Sequence, residues 1–291
     1  MTQAKVATPR LEVWLFKTIS RETVDGNLAV SGRYQNKKQY IDLTPFLHLG
    51  SSVRTSKSVR QPAGGFSINF ADKPDKSWYG DELESLSGLI EPMDVVEIRM
   101  WGGIGPAPTL LPIVMRGLVS RITRQRLVGE DGRPQRMVTV TGLDYGKVWQ
   151  TYQILYMRAY QPGKPLLSDF KIWEMFGVEA KNTMPAAEFV RQIVEKIINK
   201  HMREFLPADM GIPVELILGD GIAVQHGVVS NNYQNSDSTI YEMLRFHGDV
   251  GVWNELYTED REDGVHVVYR PIPAYLWSNS PKRGTSKIQE D

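Results

Sequence analysis

The alternation of apolar and polar residues predicts that the first half of this chain is built from strands. Between residues 11 and 16 both alternating faces are largely apolar, which is typical of a strand covered on both sides. Residues 66–70 place their apolar side chains on one face, and a polar, basic strand at 52–60 precedes them. Turn residues at 61–65 join these segments, so we expect a hairpin with one buried and one solvent-facing side.

Further strands follow as far as Gly142. They are predicted at 95–101, 112–127 and 137–142. The turn at 91–94 leads into the first of them, and Asp131-Gly132 between the other two is a strong hairpin signal. Roughly six strands with little helix are typical of a barrel or a sandwich.

After Gly142 the pattern becomes more helical. Residues 143–152 can form a helix, and 185–205 is the clearest helix of the chain because apolar residues recur along one of its faces. That face is predicted to comprise Phe189, Val190, Ile193, Val194, Ile197 and Ile198. Pro185 suits the first turn, where its missing N–H costs no hydrogen bond.

A shorter helix and a hairpin are predicted further along. Thr239 and Glu242 have the spacing of a capping box, which predicts a helix over 240–247. Two strands at 253–258 and 265–269 follow, joined by a charged turn. A helical module with a terminal β-hairpin therefore follows the strand-rich half.

These elements together predict an α+β, mainly β protein. We expect a flexible N-terminus at 1–10, a β-barrel domain at 11–145 and a smaller α/β module at 146–277. The module contains the long helix 185–205 and the terminal hairpin. A polar tail at 278–291 completes the chain and is expected to be the start of a further segment.

Composition narrows the possible chemistry. The chain has 291 residues, Lys plus Arg balance Asp plus Glu at 34 each, and cysteine is absent. Disulfides, thiolate catalysis and cysteine–zinc sites are therefore excluded. The five histidines do not pair at metal-ligand spacing. No run approaches the roughly 20 apolar residues of a membrane span, so we expect a soluble protein without membrane insertion.

Catalytic motifs are missing from the sequence. The glycines of 102–105 precede Pro106 and Pro108, which forbid the helix N-terminus that a phosphate loop or a dinucleotide turn requires. Paired carboxylates occur in polar segments typical of solvated turns. We therefore predict that the chain is not an enzyme and that it needs no cofactor and no metal.

Basic residues crowd two of the predicted hairpins and are the strongest candidates for a binding role. The candidate interface residues are Arg54, Lys57, Arg60, Arg121, Arg124, Arg126 and Arg133. Arginine pairs well with carboxylates and with phosphates, so these side chains are suited to an acidic protein surface or to nucleic acid. Basic side chains also protect exposed strands from aggregation. The hairpin at 116–136 has no aromatic residue for base stacking, which favours protein contacts over nucleic acid.

Three segments, taken in order, resemble the baseplate hub proteins of tailed phages. Residues 90–98, IEPMDVVEI, are similar to the Pro-x-Asp-x-Val-x-Ile strand of that family. Residues 138–144, VTVTGLD, followed by Lys147, are similar to the strand that closes the first barrel of hub proteins. Residues 239–271 resemble a helix and β-hairpin found further along in them. The resemblance spans most of residues 11–273.

This resemblance implies a fold and a role. Hub proteins contain barrels similar to the tail-tube subunit and assemble, usually as trimers, into a ring around the tail axis. The ring joins the tail tube to the central spike, contacts other baseplate proteins and surrounds the channel through which DNA passes. Type VI secretion spikes, which belong to the contractile injection systems, carry a related module. The implied location is the virion baseplate, after assembly in the host cytoplasm.

The chain departs from the hub pattern at its end. A second complete barrel would need more strand sequence than follows Pro273, so either the sequence stops early or this is a reduced hub. The pseudo-sixfold symmetry that two barrels would give is thus left open. Two other functions also remain open, a nucleic-acid-binding β-barrel module and a tail-associated cell-wall hydrolase.

Overall fold

The computed structural model describes most of both predicted parts. The described residues are 9–17, 40–47, 51–58, 61–72, 85–102, 108–128, 134–151, 183–205, 215–224, 227–230 and 239–273. The Asp131-Gly132 turn, the first eight residues and the predicted tail at 278–291 lie outside them.

A seven-stranded antiparallel sheet forms the first part of the structure. Its strands are β1 (Arg10–Phe16), β2 (Tyr40–Asp42), β3 (Ser52–Ser56), β4 (Gly65–Ala71), β5 (Val95–Trp101), β6 (Ile113–Val128) and β7 (Pro134–Asp144). They are hydrogen-bonded in the order β2-β1-β5-β6-β7-β4-β3. The long β6–β7 hairpin is therefore central, and the short strands β2 and β3 lie at the two edges.

The α+β, mainly β class is confirmed, but the predicted closed barrel is wrong. Closing a barrel requires a continuous hydrogen-bond ladder between the first and last strands of the sheet. In the described part of the chain β2 and β3 do not pair with each other, so the sheet is open. The physical reason is length, because β2 has three residues and β3 has five, whereas β6 has 16.

The remaining elements build a smaller α/β layer. They are α1 (Val148–Thr151), β8 (Thr183–Pro185), α2 (Ala186–Ile193), a π-helical turn (Val194–Ile198), α3 (Asn199–Phe205), β9 (Leu216–Ile222), β10 (Val228–Ser230), α4 (Ile240–His247), β11 (Asn254–Arg261) and β12 (Gly264–Pro271). Strands β11 and β12 pair antiparallel, and β9 joins β12 in parallel. Strands β8 and β10 form a separate two-stranded sheet.

Strands in the middle of the large sheet are apolar on both faces because each face packs into a different core. Val96 and Ile98 of β5 lie in a cluster with the buried residues of β1, β4 and β7. Val95, on the opposite face, joins Phe16 and Leu118 in a second cluster with the helices and the three-stranded sheet. The prediction of a doubly covered strand at 11–16 is thereby confirmed.

The long helix buries the predicted face. All six apolar residues predicted for that face, from Phe189 to Ile198, are at most 3% exposed. These residues recur at intervals of four. Because an α-helix has 3.6 residues per turn, an interval of four shifts the apolar face by about 40° around the helix at each turn. The wider turn at Val194–Ile198 offsets that drift and keeps Ile197 and Ile198 on the buried side.

Capping explains where the shorter helix α4 begins. The Thr239 hydroxyl accepts a hydrogen bond from the Glu242 amide at 3.2 Å, and the Glu242 carboxylate accepts one from the Thr239 amide at 3.1 Å. The predicted capping box and helix are confirmed. The helix ends at Gly248, whose amide donates to the Leu244 carbonyl at 2.8 Å.

Other boundaries differ from the sequence prediction. The predicted helix at 143–152 begins too early, because β7 continues to Asp144 and α1 starts only at Val148. The side chain of Asp144 makes this transition by accepting a hydrogen bond from the Gly146 amide at 2.9 Å. Strands β2 and β9 were not predicted from the sequence.

The helix core generates the first testable prediction. Replacing Ile193 with alanine should lower the free energy of unfolding by roughly 2–5 kcal/mol, because Ile193 is fully buried and its removal leaves a cavity. Urea denaturation followed by circular dichroism measures this. The exposed Glu195 on the next turn is the control, and its alanine variant should change the free energy by less than about 0.5 kcal/mol. An equally small effect for Ile193→Ala would contradict the assigned core.

Candidate interaction surface and buried charge cluster

One half of the large sheet presents an open polar face. Across strands β3, β4, β7 and β6 the residues Arg54, Ser67, Thr141 and Arg121 are register partners in sequence, so they form one row on the same side. Arg54 and Arg121 are exposed, and they lie three inter-strand steps apart, about 14 Å. We call these four residues the arginine row.

A second row of polar side chains on this face is joined by hydrogen bonds across the strands. The Asn69 amide donates to the Ser52 hydroxyl at 2.9 Å, and the Thr139 hydroxyl donates to the Asn69 carbonyl oxygen at 2.8 Å. Such cross-strand pairs stabilise a sheet where it faces solvent. At the described outward positions of these four strands there is no acidic residue to pair with the arginine row.

The β6–β7 hairpin projects beyond its neighbour β4 and is basic there as well. Arg126 and Arg136 are direct cross-strand partners, and both are exposed. Like charges placed opposite each other destabilise a strand pair. Val128 lies further along the same ribbon and is 75% exposed. Within the described residues neither arginine has an ion-pair partner.

The seven candidate interface residues fall into three groups. Arg54, Arg121 and Arg126 are exposed, as an interface requires. Lys57 and Arg124 are exposed as well, but both pair with acidic side chains within the chain. Arg124 Nε lies 3.3 Å from the buried carboxylate of Asp72. The remaining two, Arg60 and Arg133, lie outside the described residues.

A buried charge cluster lies on the covered half of the same sheet. Its centre is Glu97, which is 3% exposed and bridges two arginines. Its Oε1 accepts a hydrogen bond from Arg99 Nε at 2.5 Å, and its Oε2 accepts one from Arg116 Nε at 2.6 Å. Glu97 and Arg116 are cross-strand partners on β5 and β6, so the sheet register places this pair together.

Both arginines extend from the sheet to the turn that joins β11 and β12. Arg99 donates through Nη1 and Nη2 to the two carboxylate oxygens of Glu262, each at 3.0 Å. Arg116 Nη1 donates to the main-chain carbonyl of Arg261 at 2.7 Å. The fork of the guanidinium suits such paired contacts. The cluster therefore fastens the β11–β12 hairpin to the large sheet.

Lys57 attaches the β11–β12 hairpin to the large sheet at a second point. Its Nζ lies 2.5 Å from Asp260 Oδ2 on β11 and 3.5 Å from Asp144 Oδ2 at the end of β7. It also donates to the main-chain carbonyl of Thr258 at 3.2 Å. Asp260 Oδ2 accepts a further hydrogen bond from the Arg116 amide at 3.2 Å. The ammonium group of Lys57 therefore pairs with two buried carboxylates, those of Asp144 and Asp260.

Burial dominates the electrostatics of these two carboxylates. Desolvation raises the pKa of Asp144 to about 6, against the opposing attraction of Lys57 and a hydrogen bond from the Gly146 amide. Desolvation also raises the pKa of Asp260, although Lys57 and the Arg116 amide act in the opposite direction. Both groups consequently bind a proton more readily than exposed aspartates do.

Sequence reasoning identified the basic hairpins but missed the buried cluster. Lys57 is a candidate interface residue in the sequence analysis, and the sequence assigns no acidic partner to Lys57 or to Arg116. A signal is present in β5, where Glu97 and Arg99 alternate with Val96 and Ile98, and both faces of this strand are covered. Charges on a covered strand face must pair with one another.

The histidine and acidic side chains of the described residues do not assemble into a metal site. No group of three or more histidine or acidic side chains is arranged there to hold a metal ion. His266 is paired with Asp263, whose carboxylate lies 2.9 Å from Nε2. Among the helices that the structure describes, none is long and apolar enough to cross a membrane.

The cluster generates a second prediction. Replacing Glu97 with glutamine should lower the free energy of unfolding by about 3–5 kcal/mol, because two buried arginines lose their shared carboxylate. Urea denaturation at neutral pH measures this. Glu259→Gln is the matched control, since Glu259 is 46% exposed and pairs only with Arg261, and its effect should stay below about 1 kcal/mol. Equal effects of the two substitutions would show that the cluster is not structural.

Comparison with known proteins reveals a distant structural likeness. No protein-family model and no curated protein matches the chain. Among solved structures, the chain is similar to the crystal structure of the tail protein from Neisseria meningitidis MC58, with 12% sequence identity and a TM-score of 0.38. The likeness covers 74% of this chain and 44% of that chain, so this chain spans less than half the length of that tail protein. At this identity and TM-score the likeness establishes neither a family nor a function.

Proposed function

We propose that the chain is a non-catalytic structural subunit of a phage-type tail, and specifically of the baseplate hub. In this role it forms a ring, usually of three copies, between the tail tube protein and the spike protein. Other baseplate proteins surround the ring, and DNA passes through it as cargo. The sequence resemblance to hub proteins supplies the identity of the assembly, and the arginine row supplies a contact surface.

The observation that carries the proposal is the open polar face. An ordered sheet surface with exposed arginines and no acid at its described outward positions is suited to a partner surface that supplies carboxylates. The opposing pair Arg126 and Arg136 lies on the other face of the β6–β7 ribbon and forms a second basic surface, where an acidic neighbour would relieve the mutual repulsion of the two side chains. Such charge complementarity favours rapid and oriented association.

The edges of the open sheet support assembly as well. Strands β2 and β3 leave one main-chain edge each without a partner strand in the described part of the chain. Exposed edges can be continued by a strand from a neighbouring molecule. A ring of copies would cover edges of this kind, whereas an isolated barrel would have none.

Protein contact is a better fit to this face than nucleic acid. Single-stranded nucleic acid is held by aromatic side chains that stack on its bases. The outward positions described on β3, β4, β7 and the paired part of β6 hold mainly serine, threonine, asparagine and arginine, and no aromatic residue. The alternative of nucleic-acid binding is therefore supported only by the positive charge of this face.

A structural rather than catalytic role is supported by how the charged residues are used. Glu97, Arg116 and Asp260 are nearly inaccessible to a substrate and are engaged with one another across two sheets. Carboxylates that work as acids or bases need access to the reacting group. A cell-wall hydrolase would need a different, exposed pair of carboxylates.

The test is the effect of charge reversal on assembly. We expect the purified chain to form rings, visible by mass photometry, and the double variant Arg54→Glu with Arg121→Glu to shift the distribution at least tenfold towards monomer. Circular dichroism should show that the variant remains folded, because both side chains are exposed. Arg203→Glu is the control, since Arg203 is 57% exposed on α3 and away from the arginine row.

Other outcomes separate the competing functions. Normal assembly of the double variant together with lost affinity for short DNA, measured by fluorescence anisotropy at physiological salt, would favour the nucleic-acid function. Turnover of cell-wall glycan that one carboxylate substitution abolishes would establish the hydrolase. A monomer at all concentrations, with or without the tube and spike proteins, would contradict the hub.

A further inference from the structure

The charge cluster and its Lys57 attachment contain one carboxylate more than they have cations. The four acidic side chains are Glu97, Asp144, Asp260 and Glu262, and the three basic ones are Lys57, Arg99 and Arg116. Glu97 is occupied by two arginines, and Glu262 is half exposed and shares Arg99. The excess negative charge therefore falls on the two carboxylates that share Lys57.

Unsatisfied polar atoms lie beside the same two carboxylates. Asp260 Oδ1, Thr258 Oγ1 and Tyr145 Oη are buried and have no hydrogen-bond partner among the described residues. Thr258 and Asp260 lie two residues apart on β11, hence on the same face of the strand. Tyr145 follows Asp144 directly and interacts electrostatically with Asp260. Buried polar atoms without partners carry a free-energy penalty.

A proton on Asp260 Oδ1 would remove the excess negative charge. The carboxylic acid that forms is neutral, so the four negative charges fall to three and match the three cations. Oδ1 is the oxygen available for this proton, because it accepts no hydrogen bond from the described residues. Asp260 Oδ2 keeps its hydrogen bonds to Lys57 and to the Arg116 amide.

We propose that Asp144 and Asp260, on either side of Lys57, form a buried proton-binding site whose occupancy tightens the attachment of the β11–β12 hairpin to the large sheet. The proton comes from solvent and is shared by the pair, so the two carboxyls titrate together. This site is independent of the assembly role and of the arginine row.

The other ionisable side chains that face Asp144 and Asp260 come from four segments of the chain. Lys57 approaches from the segment after β3, Arg116 from β6 and Glu97 from β5. Tyr145 approaches from the turn before α1, and burial raises its pKa, so it stays neutral in the range considered. The raised pKa of both aspartates supports the proposal.

The direction in which stability changes with pH follows from these raised pKa values. The pKa of Asp144 is about 6 in the folded chain and 3.8 in the reference state. A group with a raised folded pKa contributes stability that is fully present below its unfolded pKa and is lost as pH rises through its folded pKa. The hairpin is therefore attached most firmly in mildly acidic solution and less firmly above about pH 6.

The experiment compares the wild-type chain with Asp144→Asn at pH 5 and pH 7. We expect the folding equilibrium constant of the wild type, from urea denaturation, to fall about tenfold between these pH values through this site. The readout is the difference between the wild type and Asp144→Asn, in which that fall should be absent, because the contribution of every other titrating group is common to the two proteins. Glu259→Gln, which removes an exposed carboxylate, should retain the wild-type fall.

Carboxyl carbon-13 NMR of the wild-type chain measures the proton directly and does not depend on the variant folding. We expect one aspartate of the pair to titrate with an apparent midpoint near 6, and Asp144→Asn to abolish that titration. Midpoints below about 4.5 for both aspartates would overturn the proposal. An identical pH profile in Asp144→Asn and the wild type would overturn it as well.

Discussion

The carboxylate of Glu97 is the contact on which the arrangement of the two sheets depends. It bridges Arg99 and Arg116, and each arginine then reaches the β11–β12 turn through Glu262 or the Arg261 carbonyl. Without that carboxylate two buried guanidinium groups would face each other without compensation, which is strongly unfavourable. The hairpin, and the helix core packed on it, are thereby fixed relative to the large sheet.

This constraint divides the large sheet into two functional halves. Where the hairpin and helices cover it, apolar residues such as Phe16, Val95 and Leu118 face them, beside the arginines and the glutamate of the charge cluster. Where they do not, the outward positions are polar and include the arginine row. A surface for partners is thus available only on the uncovered half, and the cluster determines where that half begins.

Much of the fold follows from local patterns in the sequence. Strand β5 and helix α4 occupy the residues predicted for them, because alternation and a capping box are encoded within a few positions. Six apolar residues define the buried face of the long helix. Strand β9 escaped prediction because Gly219, Asp220 and Gly221 interrupt its alternation, and its place is decided by parallel pairing with β12.

Closure of the sheet and the roles of the basic residues could not be predicted from such patterns. Whether a sheet closes depends on the length of its edge strands, and β2 has only three residues. Lys57 and Arg116 resemble their exposed neighbours in sequence. Their partners lie far along the chain, for example the Arg261 carbonyl, 145 residues from Arg116. Only the tertiary structure separates the cations that pair within the chain from those that remain for a partner.

Native-state hydrogen exchange tests the central claim most directly, namely that the charge cluster makes the two sheets one cooperative unit. Amides in the middle of β11 and β12 should exchange with the same opening free energy as those of β5 and β6, equal to that of global unfolding. Exchange from β11 and β12 through a smaller opening, while β5 and β6 stay protected, would contradict it. The cluster would then be an incidental contact between two independent units.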